Sequence, residues 1–167
     1  MINVRELKES DLEFAKSLTD AEEWGNSMED WQRLLRVSIP LVAYEGKELL
    51  GVTTAFDYGD LGMIGNVVVS SNSRGKGVGQ ALLKEAMKKL ESCKSVRVHS
   101  KMDVVSFYKD LGFMAEGMST VFRLDADMKS FQPFVIDSDA NIVSAEGYWD
   151  EILACLLYTS DAADEED

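Results

Sequence analysis

Two cysteines and one histidine are all that this sequence of 167 residues holds of the two residue types that most often build staples and metal sites. Cys93 and Cys155 do not make a disulfide framework, and no Cys/His cluster has the spacing of a metal site, so no metal is expected. Long hydrophobic runs are missing too. No apolar stretch approaches the roughly 20 residues of a membrane span, and no signal peptide opens the chain. A cytoplasmic protein without a membrane partner is the expectation. Positive charge is also scarce: 17 Lys and Arg stand against 30 Asp and Glu, a formal net charge of −13. Nucleic-acid binding wants a basic face, and that class is excluded. The acidity describes a solvated surface, with a mild long-range attraction for cationic partners. What remains, 46% hydrophobic and 28% charged residues, is an ordinary globule of a length that suits one domain and an appendage.

The chain is organised around residues 66–83. Val67, Val68 and Val69 favour extended backbone on a buried, pleated surface. Asn72 and Ser73 break the run, and Gly75, Gly77 and Gly79 then leave amide groups unshielded where a helix begins. Free N–H groups and the helix dipole make such a loop an anion site, and Arg74 and Lys76 add fixed positive charge. A phosphate or pyrophosphate is the simplest ligand. A triphosphate-binding P-loop requires Ser or Thr after Gly-Lys, but Gly77 follows Gly75-Lys76. A dinucleotide fingerprint started at Gly75 or Gly77 would end on Gln80 or Leu82. The acidic ribose partner expected about 20 residues on is replaced by Arg97 and Val98. Arg74-Gly75-Lys76-Gly77-Val78-Gly79 instead fits Arg/Gln-x-x-Gly-x-Gly/Ala directly after a hydrophobic strand. This resembles the acetyl-CoA pyrophosphate loop of the GNAT superfamily of N-acetyltransferases.

Taken in order, alternation over Ile2–Leu7 predicts a strand, and a helix starts near Ser10 with Leu12, Ala15 and Leu18 on one face. Gly25-Asn26-Ser27 breaks the chain before a second helix carrying Met28, Trp31, Leu34 and Leu35, with Ser27-x-x-Asp30 as its start. Trp24 and Trp31 fit core positions better than the walls of a cleft, since aromatics at helical spacing mostly pack inward. Strands Leu41–Tyr44 and Leu49–Phe56 flank the turn Glu45–Glu48, and Met63–Val69 follows. The next helix buries Ala81, Leu82, Ala86, Met87 and Leu90; then come strand Val96–His99 and a helix from about Asp103 to Leu111, stopped by Gly112. Phe113–Met118 and Ser119–Leu124 read as two last strands. The order β-α-α-β-β-β-α-β-α-β-β over residues 1–125 is that of the GNAT fold: α+β, with a mostly antiparallel sheet between helices, splayed at the CoA strand.

A second resemblance lies at Phe107-Tyr108-Lys109-Asp110-Leu111-Gly112-Phe113, which matches the GNAT pattern Phe-Tyr-x-x-Leu-Gly-Phe. The resemblance implies that Tyr108 lies near the CoA sulfur as general acid. It further implies that Val67, Val68 and Val69 offer backbone groups to the pantetheine arm, with an N–H near Val68 polarising the acetyl carbonyl. It implies as well that Arg74, Gly75, Lys76, Gly77, Val78, Gly79 and Gln80 hold the pyrophosphate of acetyl-CoA, the co-substrate. Lys101 stands where many members have Asn. The acceptor so implied is a small-molecule or peptide amine, which attacks directly; a non-catalytic acyl-CoA-binding module on the same fold is the alternative. An amine near pKa 10.4 must first lose a proton. The organising strand has no carboxylate, which leaves Asp57, Asp60, Glu23, Asp30 or His99 for that step, directly or through water. Cys93 lies near a helix end remote from the cleft and is discounted as a nucleophile.

Two segments follow. Residues 126–154 hold Phe131, Phe134, Ile142, Tyr148, Trp149 and Ile152, too apolar for a disordered tail and too short for a core of their own. They resemble the opening of a second GNAT-like domain in tandem members of the family, a reading that Trp24-Gly25-Asn26 and Glu29-Asp30-Trp31 also suggest. Residues 155–165, Cys-Leu-Leu-Tyr-Thr-Ser-Asp-Ala-Ala-Asp-Glu, look like a translated sequencing-library adapter, to be set aside with the rest of 155–167 in fold reasoning. Without Asp161, Asp164, Glu165, Glu166 and Asp167, 25 acids face 17 bases and the balance is −8.

Overall fold

The computed structural model describes residues 1–118, and within them the expected order of elements is found almost unchanged. Strand β1 (Asn3–Glu6) leads to helices α1 (Leu12–Ala21) and α2 (Met28–Val37), then β2 (Ile39–Glu45), β3 (Glu48–Asp57) and β4 (Leu61–Val69). Helix α3 (Val78–Lys89), strand β5 (Ser95–Val98) and the short helix α4 (Val105–Asp110) complete it. The five strands lie in sequence order; the first three pairings are antiparallel and β4–β5 is parallel.

The sheet separates two apolar layers. On one side Leu82, Leu83 and Ala86 of α3, with Leu90 just past its end, pack on Leu41, Ala43, Ala55 and Ile64. On the other, Leu12, Ala15 and Leu18 of α1 and Trp31 of α2 pack on Val42, Val52 and Val68. Trp31 is fully buried, its indole N–H donating to Thr19 Oγ1 at 3.2 Å, so it belongs to the core as expected. Helix α2 starts at the Ser27–Asp30 capping box: Asp30 N–H donates to Ser27 Oγ at 3.1 Å and Ser27 N–H to Asp30 Oδ2 at 3.0 Å. Gly112, at φ +92°, ends the last helix in the left-handed conformation expected of a glycine there.

The expected strand Phe113–Met118 is not formed; its backbone is irregular. Phe113 turns back on the helix end, its N–H bonded to the Tyr108 carbonyl at 3.1 Å, while Met114 and Met118 are exposed. Apart from Phe113 the segment buries no side chain, and among the described residues no strand pairs with it. The expected strand Ser119–Leu124, the extension 126–154 and the tail 155–167 lie outside the described residues.

A half-buried ion pair ties β1 to the start of α1. Arg5 grips Asp11 with two bonds, Nη1 to Oδ2 at 2.6 Å and Nη2 to Oδ1 at 3.1 Å, and Lys8 N–H donates to Oδ2 at 2.8 Å. The Arg5 bonds hold the Asp11 pKa below the usual carboxylate range, against the opposing effect of its burial. A depressed folded-state pKa means stability that is present above the unfolded pKa and lost as pH falls through the folded one. Asp11→Asn is therefore expected to cost about 1–2 kcal/mol at pH 7. Urea titrations should show the gap to the native protein closing as pH drops below about 4. A gap constant down to acid pH would show that the ionised carboxylate contributes nothing.

Candidate functional site

Strand β4 is broken in the middle. Its register on β3 pairs Thr54 with Gly65 and Val52 with Val68, so Asn66 and Val67 together face Thr53 alone. The extra residue is a β-bulge, and Asn66 adopts φ +50°, which Asn tolerates better than most side chains. Two buried threonines brace it: Thr53 Oγ1 donates to the Gly65 carbonyl at 2.9 Å and Thr54 Oγ1 to Asn66 Oδ1 at 3.1 Å. On the other side, β5 pairs with β4 only from Leu61 to Ile64. Beyond the bulge the two parallel strands part. Among the described residues, the edge of β4 from Gly65 to Val69 then faces no strand.

The direction of the backbone groups there follows from alternation. Ser70 N–H donates to the Leu50 carbonyl at 2.9 Å, so Ser70 and Val68 point toward β3. Val67 and Val69 between and beside them point into the opening. The sequence expectation centred on Val68 therefore shifts by one residue: the groups free to meet an extended ligand are those of Val67 and Val69. The Val69 carbonyl accepts from Arg74 Nε at 3.1 Å, which marks its direction.

At the end of β4 the chain turns through Ser71–Ser73 into the glycine loop. Gly77, at φ +86°, is the N-cap of α3 and carries no side chain to satisfy the helix. The first intrahelical bond is Ala81 N–H to the Gly77 carbonyl at 3.0 Å. The amides of Val78, Gly79 and Gln80 thus have no helical acceptor. No heavy atom lies within 4 Å of where a Cβ would stand at Gly75 or Gly77, so the cradle is open on the outside. Val78 itself is buried and anchors the turn, while Arg74, Lys76 and Gln80 are exposed. Gly79 is needed for a close approach: a Cβ there would stand 3.3 Å from Phe107 Cζ and 3.8 Å from Val69 Cγ2. That contact gathers the end of β4, the start of α3 and the start of α4 at one point. A loop of free donors beside fixed cations fits a pyrophosphate, and the open edge of β4 fits an amide-bearing arm.

Tyr108 stands on α4 next to this junction. Its ring meets those of Phe107 and Phe113 edge-on, with centroids 5.2 and 5.8 Å apart. The residue is 9% exposed, and burial raises its pKa above the usual phenol value. Among the described residues no fully buried side-chain polar atom lacks a partner, and the Tyr108 hydroxyl has no hydrogen bond there. A phenol held in its protonated form is a proton donor.

On the α1 face of β4 an open cleft of about 360 Å³ is lined by Leu18, Ala21, Glu22, Val68, Val69, Ser70, Ser71 and Arg74. Of the acids expected near the acceptor, none lies in this lining. Asp57 ends β3 and Asp60 lies in the turn before β4, both at the opposite end of β4 from Val69. Asp57 there accepts from Gly59 N–H at 2.8 Å, and Asp60 pairs with Lys94 at 2.6 Å. Asp30 is committed to the α2 cap, and its bonds from Ser27 lower its pKa, the wrong direction for a base. Glu23 is exposed at φ +56°. His99 is exposed just beyond β5, where the strands have parted. Cys93 is remote, as expected; burial and then Asp57 raise its pKa, which disfavours the thiolate.

The acid that does line the cleft is Glu22. It accepts from Arg74 Nη2, and Lys101 Nζ stands 3.8 Å from its other oxygen. The sequence carries a signal for it: Leu12, Ala15 and Leu18 are the buried stripe of α1, and position 22 continues that stripe by four residues, whereas position 23 leaves it. Among the described residues no group of acids, histidines and cysteines could hold a metal ion, and no helix is long and apolar enough to cross a membrane.

No curated protein sequence matches this chain. Solved structures do, at identities that speak for the fold. Glucosamine-6-phosphate N-acetyltransferase from Arabidopsis thaliana superposes with a TM-score of 0.62 at 20% identity, over 75% of this chain and 99% of that one. An acetyltransferase from Trypanosoma brucei gives 0.61 at 23% identity, over 74% and 100%. A Mycobacterium tuberculosis protein in complex with CoA gives 0.62 at 21% identity, over 71% and 76%. The sheet that parts beside a bulged strand is thus the GNAT fold. Residues 5–124 match the family model described as the acetyltransferase (GNAT) domain, and the chain belongs to the GNAT family of acetyl-CoA-dependent acetyltransferases.

Proposed function

We propose that this protein moves an acetyl group from acetyl-CoA to a primary amine by direct attack of the amine on the thioester. The observation that carries the reading is the meeting of three features at one point: the open edge of β4, the uncapped start of α3 and the start of α4, the helix that carries Tyr108. Acetyl-CoA supplies an activated acyl group with a thiol leaving group. Val67 and Val69 would hold the pantetheine amides through N–H and C=O, as an added strand does, and one of their N–H groups would bear on the acetyl carbonyl oxygen. Arg74, Lys76 and the amides from Gly75 to Gln80 would bind the pyrophosphate. As the new C–N bond forms and the C–S bond breaks, Tyr108 would give its proton to the departing sulfur and regain one from water. The amine loses its own proton to the solvent side.

A second reading is a non-catalytic acyl-CoA-binding module. The feature that favours it is β4 itself, which carries no carboxylate between Leu61 and Val69. One experiment separates the two. The purified protein is incubated with acetyl-CoA and a panel of small amines, lysine peptides and peptide N-termini, and free CoA thiol is followed. Amine-dependent thiol release supports the transferase. Tight CoA binding by calorimetry with no release from any amine would leave the module.

A further inference from the structure

The cluster around Glu22 reaches across the cleft. Glu22 follows the end of α1, Arg74 comes from the loop after β4, and Lys101 from the segment between β5 and α4. One carboxylate thus joins the two sides of the opening between β4 and β5 to the helix that walls it. Arg74 is held twice, by Glu22 and by the Val69 carbonyl, one of the groups that faces into the opening. Lys101, besides Glu22, lies over the indole of Trp24 with Nζ 5.9 Å from the ring centroid. Trp24 is 38% exposed, more than a packing role requires, and its N–H bond to the Thr19 carbonyl at 3.0 Å fixes it beside Glu22.

These contacts conflict with ligand binding in a definite way. Arg74 spends Nε on the Val69 carbonyl and Nη2 on Glu22, which leaves a pyrophosphate chiefly its Nη1, and the Val69 carbonyl meets an extended arm with one lone pair already engaged. A bridging phosphate carries more charge than a carboxylate and offers more acceptor oxygens, so it wins the exchange for a guanidinium. Once Arg74 has moved, Glu22 is a half-buried carboxylate that shares Lys101 with the indole of Trp24, and a carboxylate and an aromatic face around one ammonium are the combination that receives an organic cation. The ammonium of Lys101 already sits between the two.

We infer that Glu22 is a latch on the acyl-CoA cleft: it holds Arg74 and Lys101 until phosphates of CoA displace it, and it then offers a cationic acceptor a site shared with Trp24. This rests on the proposed pyrophosphate site, but not on turnover. CoA dissociation constants are measured by calorimetry at low salt for the native protein, Glu22→Gln, Arg74→Gln and the double variant. Glu22→Gln keeps the shape of a partly exposed residue past the helix end, and circular dichroism checks that it folds. The latch predicts that Glu22→Gln binds CoA about three- to tenfold more tightly, the range that two partly exposed ion pairs support. It predicts that most of this gain is lost when Arg74 is already Gln. With the best amine of the panel, Glu22→Gln should raise KM and leave kcat nearly unchanged. Equal or weaker CoA binding by Glu22→Gln overturns the latch. Unchanged CoA binding by Arg74→Gln overturns the pyrophosphate assignment instead.

Discussion

Tyr108→Phe is expected to bind CoA as the native protein does and to turn over roughly 10²–10⁴ times more slowly, the range typical of a lost general acid. The variant removes one hydroxyl and leaves the edge-on contacts with Phe107 and Phe113 in place. No hydrogen bond within the described residues is lost with it, so thermal stability should change by less than about 1 kcal/mol. The pH dependence provides a second check. Burial raises the Tyr108 pKa, so the phenol is in its donating form throughout the neutral range. A general acid works only while protonated, so the native rate should fall as pH rises past the usual phenol value near 10. That alkaline limb should be missing in the Phe variant. An unaltered kcat, under conditions where chemistry limits the rate, would remove Tyr108 from the mechanism.

How far the sequence could lead to this site depends on the range of the forces involved. Local signals were legible. The apolar periodicity of α1 and α3, the Ser27–Asp30 box and the glycine loop each depend on residues a few positions apart, and each is found where the pattern puts it. Long-range registers were not. Gly65-Asn66 hints at irregular backbone, yet that two residues of β4 face Thr53 alone is a matter of pairing with a strand a dozen positions away. The parting of β4 and β5 came only from the family resemblance, because nothing local to either strand says where their ladder stops. Glu22 shows the same limit from the other side. Its stripe position was readable, but its value depends on Arg74 and Lys101, which are 52 and 79 positions away and reach it only through the fold. The segment Phe113–Met118 was read as a strand from its apolar residues, yet apart from Phe113 none of them is buried.

Gly77→Asp is expected to weaken CoA binding by at least ~2 kcal/mol, about thirtyfold. Two causes need separating, a like charge beside the phosphates and a side chain at a glycine position. A Cβ at Gly77 meets no protein atom within 4 Å, so the fold itself has room for the side chain. What the protein bears is the backbone conformation, φ +86°, which costs a non-glycine residue about 1–2 kcal/mol and Asp or Asn least. The space outside the cradle is where the phosphates are proposed to lie, and there the carboxylate acts directly against the dipole and amides of α3 that would bind them. Gly77→Asn is the matching control, having the same shape and the same tolerance of positive φ without the charge. Both variants should lose similar amounts of thermal stability, while calorimetry should show Asp losing clearly more CoA affinity than Asn. Raising the salt concentration should shrink the difference between them, because the repulsion acts at an exposed site. A folded Gly77→Asp protein that binds CoA with native affinity would place the pyrophosphate away from this loop.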